Sequence, residues 1–263
     1  MIDSIVPPRR ALEERLGGTP LVLMLDVDGT LAPIAEHPSL AVVPPETRRV
    51  VAALASRESV HVALVSGRAA VDARRMVAVA RVWTVGNHGA EVIDPDGVTT
   101  VDPAIEPYAP SMARVARALE PLLASLSRVV LEDKRWTLSV HYRMADPALV
   151  PRLRLVVEEV VKRHGLRITE GKCVLEIRPP VRLDKGVAVV HLADRLGALD
   201  PAASLLFAGD DATDEDAFRL LRERAPGAVT IRIGSPDPAT AAEYALAGPR
   251  DLQSLLERLA HQR

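Results

Sequence analysis

The chain has 263 residues, of which 48% are apolar and 26% charged, a composition typical of a globular protein. Its 33 basic and 35 acidic residues nearly cancel, which argues against a protein that binds nucleic acid or an anionic membrane. The single cysteine, Cys173, excludes an intrachain disulfide and a zinc site built from cysteines.

Short apolar runs that end in polar residues recur along the first hundred residues. The first run covers residues 21–25 and is followed directly by Asp26. A helix is predicted over 46–55, and two further apolar runs, 60–65 and 82–85, precede Ser66 and the segment 86–89. Continuous apolar runs of this length are typical of strands buried on both faces of a parallel sheet. Alternating strands and helices predict a Rossmann-like, doubly wound α/β core, in which ligands bind beyond the carboxyl ends of the strands.

The middle of the chain has a different pattern. Apolar residues at helical spacing begin at Met112, and a second helix is predicted over 149–160. The segments 136–143, 166–169 and 172–178 alternate apolar and polar side chains, which predicts strands with one face in a core. The predicted order is helix-strand-strand-helix-strand-strand, with the helices on one side of the sheet. We therefore predict an inserted α/β domain at residues 107–181, within a core formed by 1–106 and 182–263.

The core pattern resumes after the inserted segment. An apolar run over 205–208 precedes an acidic segment, a strand is predicted over 229–233, and a helix over 252–259. The N-terminus lacks the basic-then-apolar pattern of a signal peptide, and no apolar run approaches the length of a membrane span. We therefore expect a cytoplasmic protein, active as a monomer, with neither nucleic acid nor a membrane as its partner.

Asp26 and Asp28 follow directly after the first predicted strand. Two carboxylates one residue apart at a strand end can face one site and divide the roles of nucleophile and general acid/base. Gly29 lets the backbone turn, and its amide can meet a phosphate oxygen. An EF-hand calcium loop does not fit, because it needs Gly where Leu31 stands and Glu where His37 stands. A solvated turn is the remaining alternative.

Several carboxylates crowd the end of the predicted strand at 205–208. Asp210, Asp211 and Asp214 would repel one another unless a cation lies among them. Oxygen ligands suit Mg²⁺ at a phosphate site. The alternative is a helix N-terminus enriched in acidic residues, which accounts for Glu215 and Asp216 better than for Asp210 and Asp211.

Ser66 and Lys185 provide weaker signals. Ser66 follows a strand and could bond a phosphate oxygen, although serine is also a frequent cap. Lys185 lies near a predicted helix start, where a positive charge is unfavourable unless an anion is close.

These four segments, in this order, resemble the phosphatases of the haloacid dehalogenase superfamily. Residues Asp26-Val27-Asp28-Gly29-Thr30-Leu31 resemble its first motif, Ser66 its second, Lys185 its third and the segment 210–214 its fourth. The inserted domain lies between the second and third motifs. Val27 is a departure, because relatives often carry an aromatic residue there. Within the superfamily, the trehalose-6-phosphate phosphatase family is the one that residues 21–248 resemble, through the segments 28–34, 66–68, 86–89, 139–143, 171–179 and 209–218.

The resemblance implies an enzyme of trehalose biosynthesis that hydrolyses a small sugar phosphate, trehalose 6-phosphate. It implies an aspartyl-phosphate intermediate on Asp26, with Asp28 as general acid/base. A Mg²⁺ ion would be held by Asp26, Asp28 and Asp210, with Asp211 and Asp214 in support. The phosphate would be bound by Gly29, Thr30, Ser66, Gly67 and Lys185. The substrate would be bound by Arg68, Asn87, His88, Arg143, Lys172, Glu176 and Arg178. For His88, a structural role in the turn between Asn87 and Gly89 is the alternative.

Alternation along residues 172–178 assigns their side chains to two faces. Lys172, Glu176 and Arg178 share one face, which we expect to close over the core and bond sugar hydroxyls, unless it is an ordinary solvated face. Cys173 falls on the opposite, apolar face and is predicted to be an inert core thiol.

Three other functions remain open from the sequence. The first is a phosphatase that acts on sucrose phosphate or a glycosyl-phosphoglycerate. The second is a phosphomutase, which shares the aspartyl-phosphate step and returns the phosphoryl group to a sugar. The third is an inactive binding module, which the intact set of acidic residues argues against.

Overall fold

The structure, a computed structural model, describes residues 9–35, 37–171, 173–182, 184–235, 237 and 239–261. Within these residues the helices are α1 (Arg9–Arg15), α2 (Pro45–Ala55), α3 (Ala70–Val77), α4 (Ala109–Ala124), α5 (Val150–Arg163), α6 (Lys185–Arg195), α7 (Ala212–Arg224) and α8 (Pro249–His261). The strands are β1 (Leu21–Asp26), β2 (Val60–Val65), β3 (Trp83–Gly86), β4 (Glu91–Ile93), β5 (Thr99–Val101), β6 (Val130–Asp133), β7 (Leu138–His141), β8 (Arg167–Gly171), β9 (Val174–Arg178), β10 (Ser204–Gly209), β11 (Val229–Ile233) and β12 (Tyr244–Leu246).

The chain forms two compact units. Residues 1–100 and 183–263 make up one, which we call the core unit, and residues 101–182 make up the other, which we call the inserted unit. None of the helices in the described part of the chain combines the length and apolar content that a membrane crossing needs.

The core unit is built on a sheet with the strand order β12-β11-β10-β1-β2-β3-β4-β5. Each neighbouring pair from β12 to β3 is parallel, whereas β4 runs antiparallel to β3. The predicted α/β fold with a parallel core sheet is therefore confirmed, with an antiparallel addition at one side.

The central strand β1 shows why the sheet needs a continuous apolar run. Leu23 and Leu25 pack on the face that also carries buried residues of α1, α2, α3 and α8. Val22 and Met24 pack on the other face, with buried residues of α6 and α7. Helices cover both faces, so every position of the strand before Asp26 has to be apolar.

The inserted unit has an antiparallel sheet with the order β6-β7-β9-β8. Its core combines alternate residues of the strands with one face of α4 and one face of α5, including Leu138, Val140, Leu175 and Ile177 from β7 and β9. The order of elements is helix-strand-strand-helix-strand-strand. One face of the sheet therefore carries both helices.

The prediction for Cys173 is wrong. Strand β9 begins at Val174, and Cys173 lies in the turn before it, exposed and with a φ of 63°. Alternation assigns side chains to faces only inside a strand. Cys173 precedes the first residue of β9, so the alternation of the strand does not apply to it. Lys172 lies outside the described residues.

Candidate active site

The end of β1 meets the ends of its two neighbouring strands. Asp26 is the last residue of β1, Ser66 follows β2, and Asp210 follows β10. Both neighbouring strands are parallel to β1, so their carboxyl ends lie at the same edge of the sheet. This topology brings together residues that are far apart in the sequence.

An acidic centre lies at this edge. Asp26, Asp210 and Asp214 are all buried, and one carboxylate oxygen of each lies within 4.8 Å of the others. The ammonium of Lys185 donates to Asp26 Oδ1 at 2.7 Å and to Asp214 Oδ1 at 2.9 Å. Lys185 is itself buried and begins α6, where it offsets part of the negative charge of the centre.

Backbone amides and a helix cap hold Asp214. Its Oδ2 accepts from the backbone N–H groups of Asp210 at 2.9 Å and Asp211 at 3.1 Å. The Asp211 carboxylate accepts from the amides of Thr213 and Asp214, which completes a capping box at the start of α7. The helix-terminus explanation therefore applies to Asp211, contrary to the expectation from the sequence.

Glu215 lies in the first turn of α7, as the helix-terminus alternative expected, and it also makes contacts outside the helix. Its Oε1 accepts from Arg232 at 2.9 Å and from the Thr240 hydroxyl at 2.7 Å, and its Oε2 accepts from the amide of Ala241 at 2.8 Å. The side chain is buried and ties α7 to the end of β11 and the segment that follows it.

Burial and charge shift the pKa values of this centre in opposite directions. Burial raises the pKa of Asp26 well above its ordinary value, although the charge of Lys185 lowers it. Burial likewise raises the pKa of Asp214 to about 7, against the effect of Lys185. Burial lowers the pKa of Lys185, but the carboxylates of Asp214 and Asp26 raise it further, so it lies well above the ordinary value. Lys185 is therefore protonated at neutral pH.

Asp211 is the exception among the acidic residues. Burial raises its pKa, but the charge of Lys185 and the hydrogen bonds from Thr213 and Asp214 outweigh that effect and lower it to about 2. Asp211 is therefore ionised at neutral pH, as its capping role requires.

The chemistry of the centre fits a divalent cation. Its donors are carboxylate oxygens, which hard cations prefer. Asp26 Oδ2 and Thr30 Oγ1 are both buried and have no hydrogen-bond partner among the described residues. A buried carboxylate oxygen without a donor is costly, and a cation or a ligand would offset that cost.

Gly29 lets the Asp210 carboxylate lie against the loop after β1. Its φ is +88°, and a Cβ atom on it would lie 2.4 Å from the carboxyl carbon of Asp210. A side chain at this position would therefore strain the backbone and displace Asp210.

Asp28 is not one of the three clustered carboxylates, and it pairs with Arg68. The Arg68 Nε and Nη2 atoms donate to the two Asp28 oxygens at 2.6 and 2.7 Å. The Asp28 side chain is 41% exposed, in contrast to buried Asp26. The structure thus places Arg68, which was predicted to bind substrate, against the predicted general acid/base.

The turn after β2 packs against the turn after β3. The Ser66 hydroxyl accepts from the Arg68 amide at 3.1 Å, and the His88 amide donates to the Ser66 carbonyl. A Cβ atom on Gly67 would lie 2.5 Å from the His88 ring, so the ring and the turn are in close contact. Asn87 donates from Nδ2 to Glu91 at 2.7 Å.

The inserted unit has a buried polar cluster of its own. Glu176 accepts from the Ser139 hydroxyl at 2.8 Å and from Lys134 Nζ at 3.2 Å, and all three residues are buried. Ser139 lies opposite Glu176 in the pairing of β7 with β9. Arg178, two residues along β9, is buried, whereas Arg143 is exposed.

Three residues of these clusters were not among the predicted site residues. Ser139 shares the polar face of its strand, so alternation could have found it. Lys134 lies before β7 and is one of only four lysines, the single weak signal for it. Glu91 has no local signal, because its partners come from other elements.

Comparisons of the sequence and of the structure with known proteins agree on one family. A sequence model of the trehalose-phosphatase family matches residues 24–250. The chain is 35% identical to trehalose-phosphate phosphatase B of Arabidopsis thaliana over 98% of its own length and 69% of that protein. It is 34% identical to trehalose-phosphate phosphatase of Mycobacterium tuberculosis over 91% of its length, but it spans only 61% of that protein. A crystal structure of a trehalose-6-phosphate phosphatase related protein superimposes with a TM-score of 0.80 at 22% identity, over 91% of this chain and 96% of that one.

We expect Lys185→Met to make stability depend strongly on pH. Without the ammonium, the buried carboxylates of Asp26 and Asp214 lose their charge partner, which costs about 3–5 kcal/mol when both are ionised. Their native-state pKa values then lie further above the unfolded values, so the native state binds more protons than the unfolded state. The free energy of unfolding therefore falls as the pH rises from about 5 to about 8. Urea unfolding in EDTA, followed by circular dichroism, measures it.

Lys162→Met is the matched control, because Lys162 is an exposed residue of α5. This variant should change the free energy of unfolding by less than about 0.5 kcal/mol both at about pH 5 and at about pH 8. Equal stability of Lys185→Met at both pH values would contradict the role of Lys185 as the charge partner.

Proposed function

This chain belongs to the trehalose-phosphatase family, and from that premise we propose that it hydrolyses trehalose 6-phosphate to trehalose and inorganic phosphate. The observation that carries the proposal is the Oδ2 of Asp26, which is buried beside Lys185 at the end of β1 and accepts no hydrogen bond from any described residue. A buried carboxylate oxygen without a donor is available as a nucleophile.

The proposed cation is Mg²⁺, held by Asp26, Asp210 and the backbone carbonyl of Asp28, with Asp211 and Asp214 in support. Bound there, it would offset the repulsion between the Asp26 carboxylate and the phosphate group. The oxygen-only donor set supports Mg²⁺ over softer metals.

In the proposed first step, Asp26 Oδ2 attacks phosphorus and the bond from phosphorus to the sugar oxygen breaks. Asp28 gives a proton to the departing sugar oxygen. In the second step, Asp28 takes a proton from water, which attacks the aspartyl-phosphate and releases phosphate and free Asp26. The different exposure of the two carboxylates, with Asp26 buried and Asp28 half-exposed, supports this division of roles.

Phosphate binding is proposed for residues around Asp26. Lys185 supplies a positive charge, and the buried Thr30 hydroxyl supplies a donor without a competing partner among the described residues. These groups would stabilise the charge of the transition state. The same role is proposed for Ser66 and Gly67. The predicted role of Gly29 is changed by the structure, because its N–H already donates to the carbonyl of Ala32 at 2.7 Å.

Sugar recognition is proposed for polar residues of both units. In the inserted unit, the cluster of Glu176, Lys134 and Ser139 presents oriented donors and acceptors of the kind that bind sugar hydroxyls. Arg143, Lys172 and Arg178 are proposed to add to it, and Arg68, Asn87 and His88 to contribute from the core unit. A cytoplasmic location and a monomeric state remain predictions from the sequence.

A phosphate-release panel tests the function. We expect kcat/KM for trehalose 6-phosphate to exceed that for sucrose 6-phosphate and glucose 6-phosphate by about tenfold or more. Activity should disappear in EDTA and return with Mg²⁺. Asp26→Asn should lower kcat by at least about 10³-fold with an unchanged circular dichroism spectrum. Equal rates with glucose 6-phosphate would refute the substrate, and transfer of labelled phosphate to a free sugar would indicate a phosphomutase.

Two glycine variants test the cation site. Gly29→Ala and Gly97→Ala replace glycines with φ values of +88° and +89°, but only the Gly29 Cβ would meet Asp210, whereas described residues leave open space around Gly97. Both should lose about 1–2 kcal/mol of stability from backbone strain. Only Gly29→Ala should weaken Mg²⁺ binding, by about tenfold or more, since it displaces a ligand. Isothermal titration of the metal-free protein measures this, and equal Mg²⁺ affinity in both variants would contradict the site.

Glu176→Ala tests sugar recognition. We expect it to raise KM for trehalose 6-phosphate by about tenfold or more and KM for 4-nitrophenyl phosphate by less than about twofold, because only the disaccharide offers hydroxyls. Glu170→Ala on neighbouring β8 is the control, since Glu170 is exposed and pairs with Arg154. A parallel rise in KM for both substrates would argue against a role in binding the sugar.

A further inference from the structure

Arg68 fixes the plane as well as the position of the Asp28 carboxylate. A guanidinium that donates to both oxygens of a carboxylate through two parallel hydrogen bonds defines its orientation. Arg68 lies in the turn between β2 and α3. The orientation of Asp28 therefore depends on where the backbone of that turn is held.

Glu91, a residue of β4, holds this turn on both sides of Arg68. Its Oε1 accepts from the amide of Ala70, the first residue of α3, at 2.8 Å. The same oxygen accepts from the side-chain Nδ2 of Asn87 at 2.7 Å. The backbone N–H of Asn87 in turn donates to the carbonyl of Arg68 at 2.7 Å. One carboxylate oxygen thus connects to the backbone after Arg68 directly and to the Arg68 carbonyl through Asn87.

A carboxylate suits this position for two reasons. Helix α3 has Ala69 at its N-cap, with no side-chain cap, so its first amides need an acceptor from elsewhere, and a negative charge there is favourable. Asn87 and His88 have φ values of 50° and 57°, a backbone conformation that persists only where its surroundings hold it. Glu91 provides part of that restraint through Asn87.

We propose that Glu91 is a positioning residue, which holds the backbone of Arg68 so that its guanidinium aligns Asp28 for proton transfer. This inference rests on the proposed function, which assigns proton transfer to Asp28.

A double-mutant cycle tests the proposal. Glu91→Ala, Arg68→Met and the double variant are compared in kcat and KM for trehalose 6-phosphate with saturating Mg²⁺. We expect Arg68→Met to lower kcat by about 100-fold, the scale of a lost proton transfer. Glu91→Ala should lower kcat by about tenfold through misalignment, with little change in KM. In the Arg68→Met background, Glu91→Ala should change kcat by less than about twofold, because residues that act through one another are not additive.

Two further variants distinguish a loss of positioning from a loss of folding. Glu91→Gln keeps an oxygen that can accept both hydrogen bonds, and it should restore kcat to within about threefold of the parent. Glu91→Asp keeps the charge but shortens the reach, and it should show the same non-additivity with Arg68→Met if Glu91→Ala unfolds at the assay temperature.

Several outcomes would overturn the inference. An equal loss of kcat in both backgrounds would mean that Glu91 acts independently of Arg68. A raised KM with unchanged kcat in Arg68→Met would mean that Arg68 acts only by binding substrate and does not align Asp28. Either result leaves the proposed function standing if the parent protein is active. A parent protein that releases no phosphate from any sugar phosphate would refute the proposed function and this inference together.

Discussion

The site depends on one buried ammonium placed between two buried carboxylates. Lys185 pairs with Asp26 from β1 and with Asp214 from α7, so it joins three elements of the core unit. Taking three charges out of water is costly, and removing one partner would leave the others uncompensated. Lys185 begins α6, directly after the chain returns from the inserted unit. The end of the inserted segment must therefore lie where α6 can begin with Lys185 beside Asp26 and Asp214.

Much of the fold follows from local pattern. Strands β2 and β11 have the predicted bounds, because each is a short segment rich in valine and isoleucine between turn residues. Strand β1 differs only by including Asp26. The parallel arrangement of β1, β2 and β10 then brings Asp26, Ser66 and Asp210 to one edge. Antiparallel β4 and the short strands β5 and β12 carry too few residues for a clear period, so they had no comparable signal.

The partners of individual side chains could not be predicted in the same way. Asp211 and Glu215 both lie in an acidic segment, yet one caps α7 and the other pairs with Arg232. That choice depends on which residues the fold brings close, and no local spacing encodes it. Cys173 illustrates the limit of alternation. It lies in the turn directly before β9 rather than in the strand, and its side chain is exposed instead of packed in the core.

Glycine packing around the acidic centre constrains how this protein can diverge. A Cβ atom on Gly209 would lie 2.2 Å from the carboxyl carbon of Asp214, as one on Gly29 would crowd Asp210. At this edge of the sheet the site therefore requires two positions without side chains as well as the acids themselves. The inserted unit has a hydrophobic core of its own, so a substitution inside that core does not crowd either glycine.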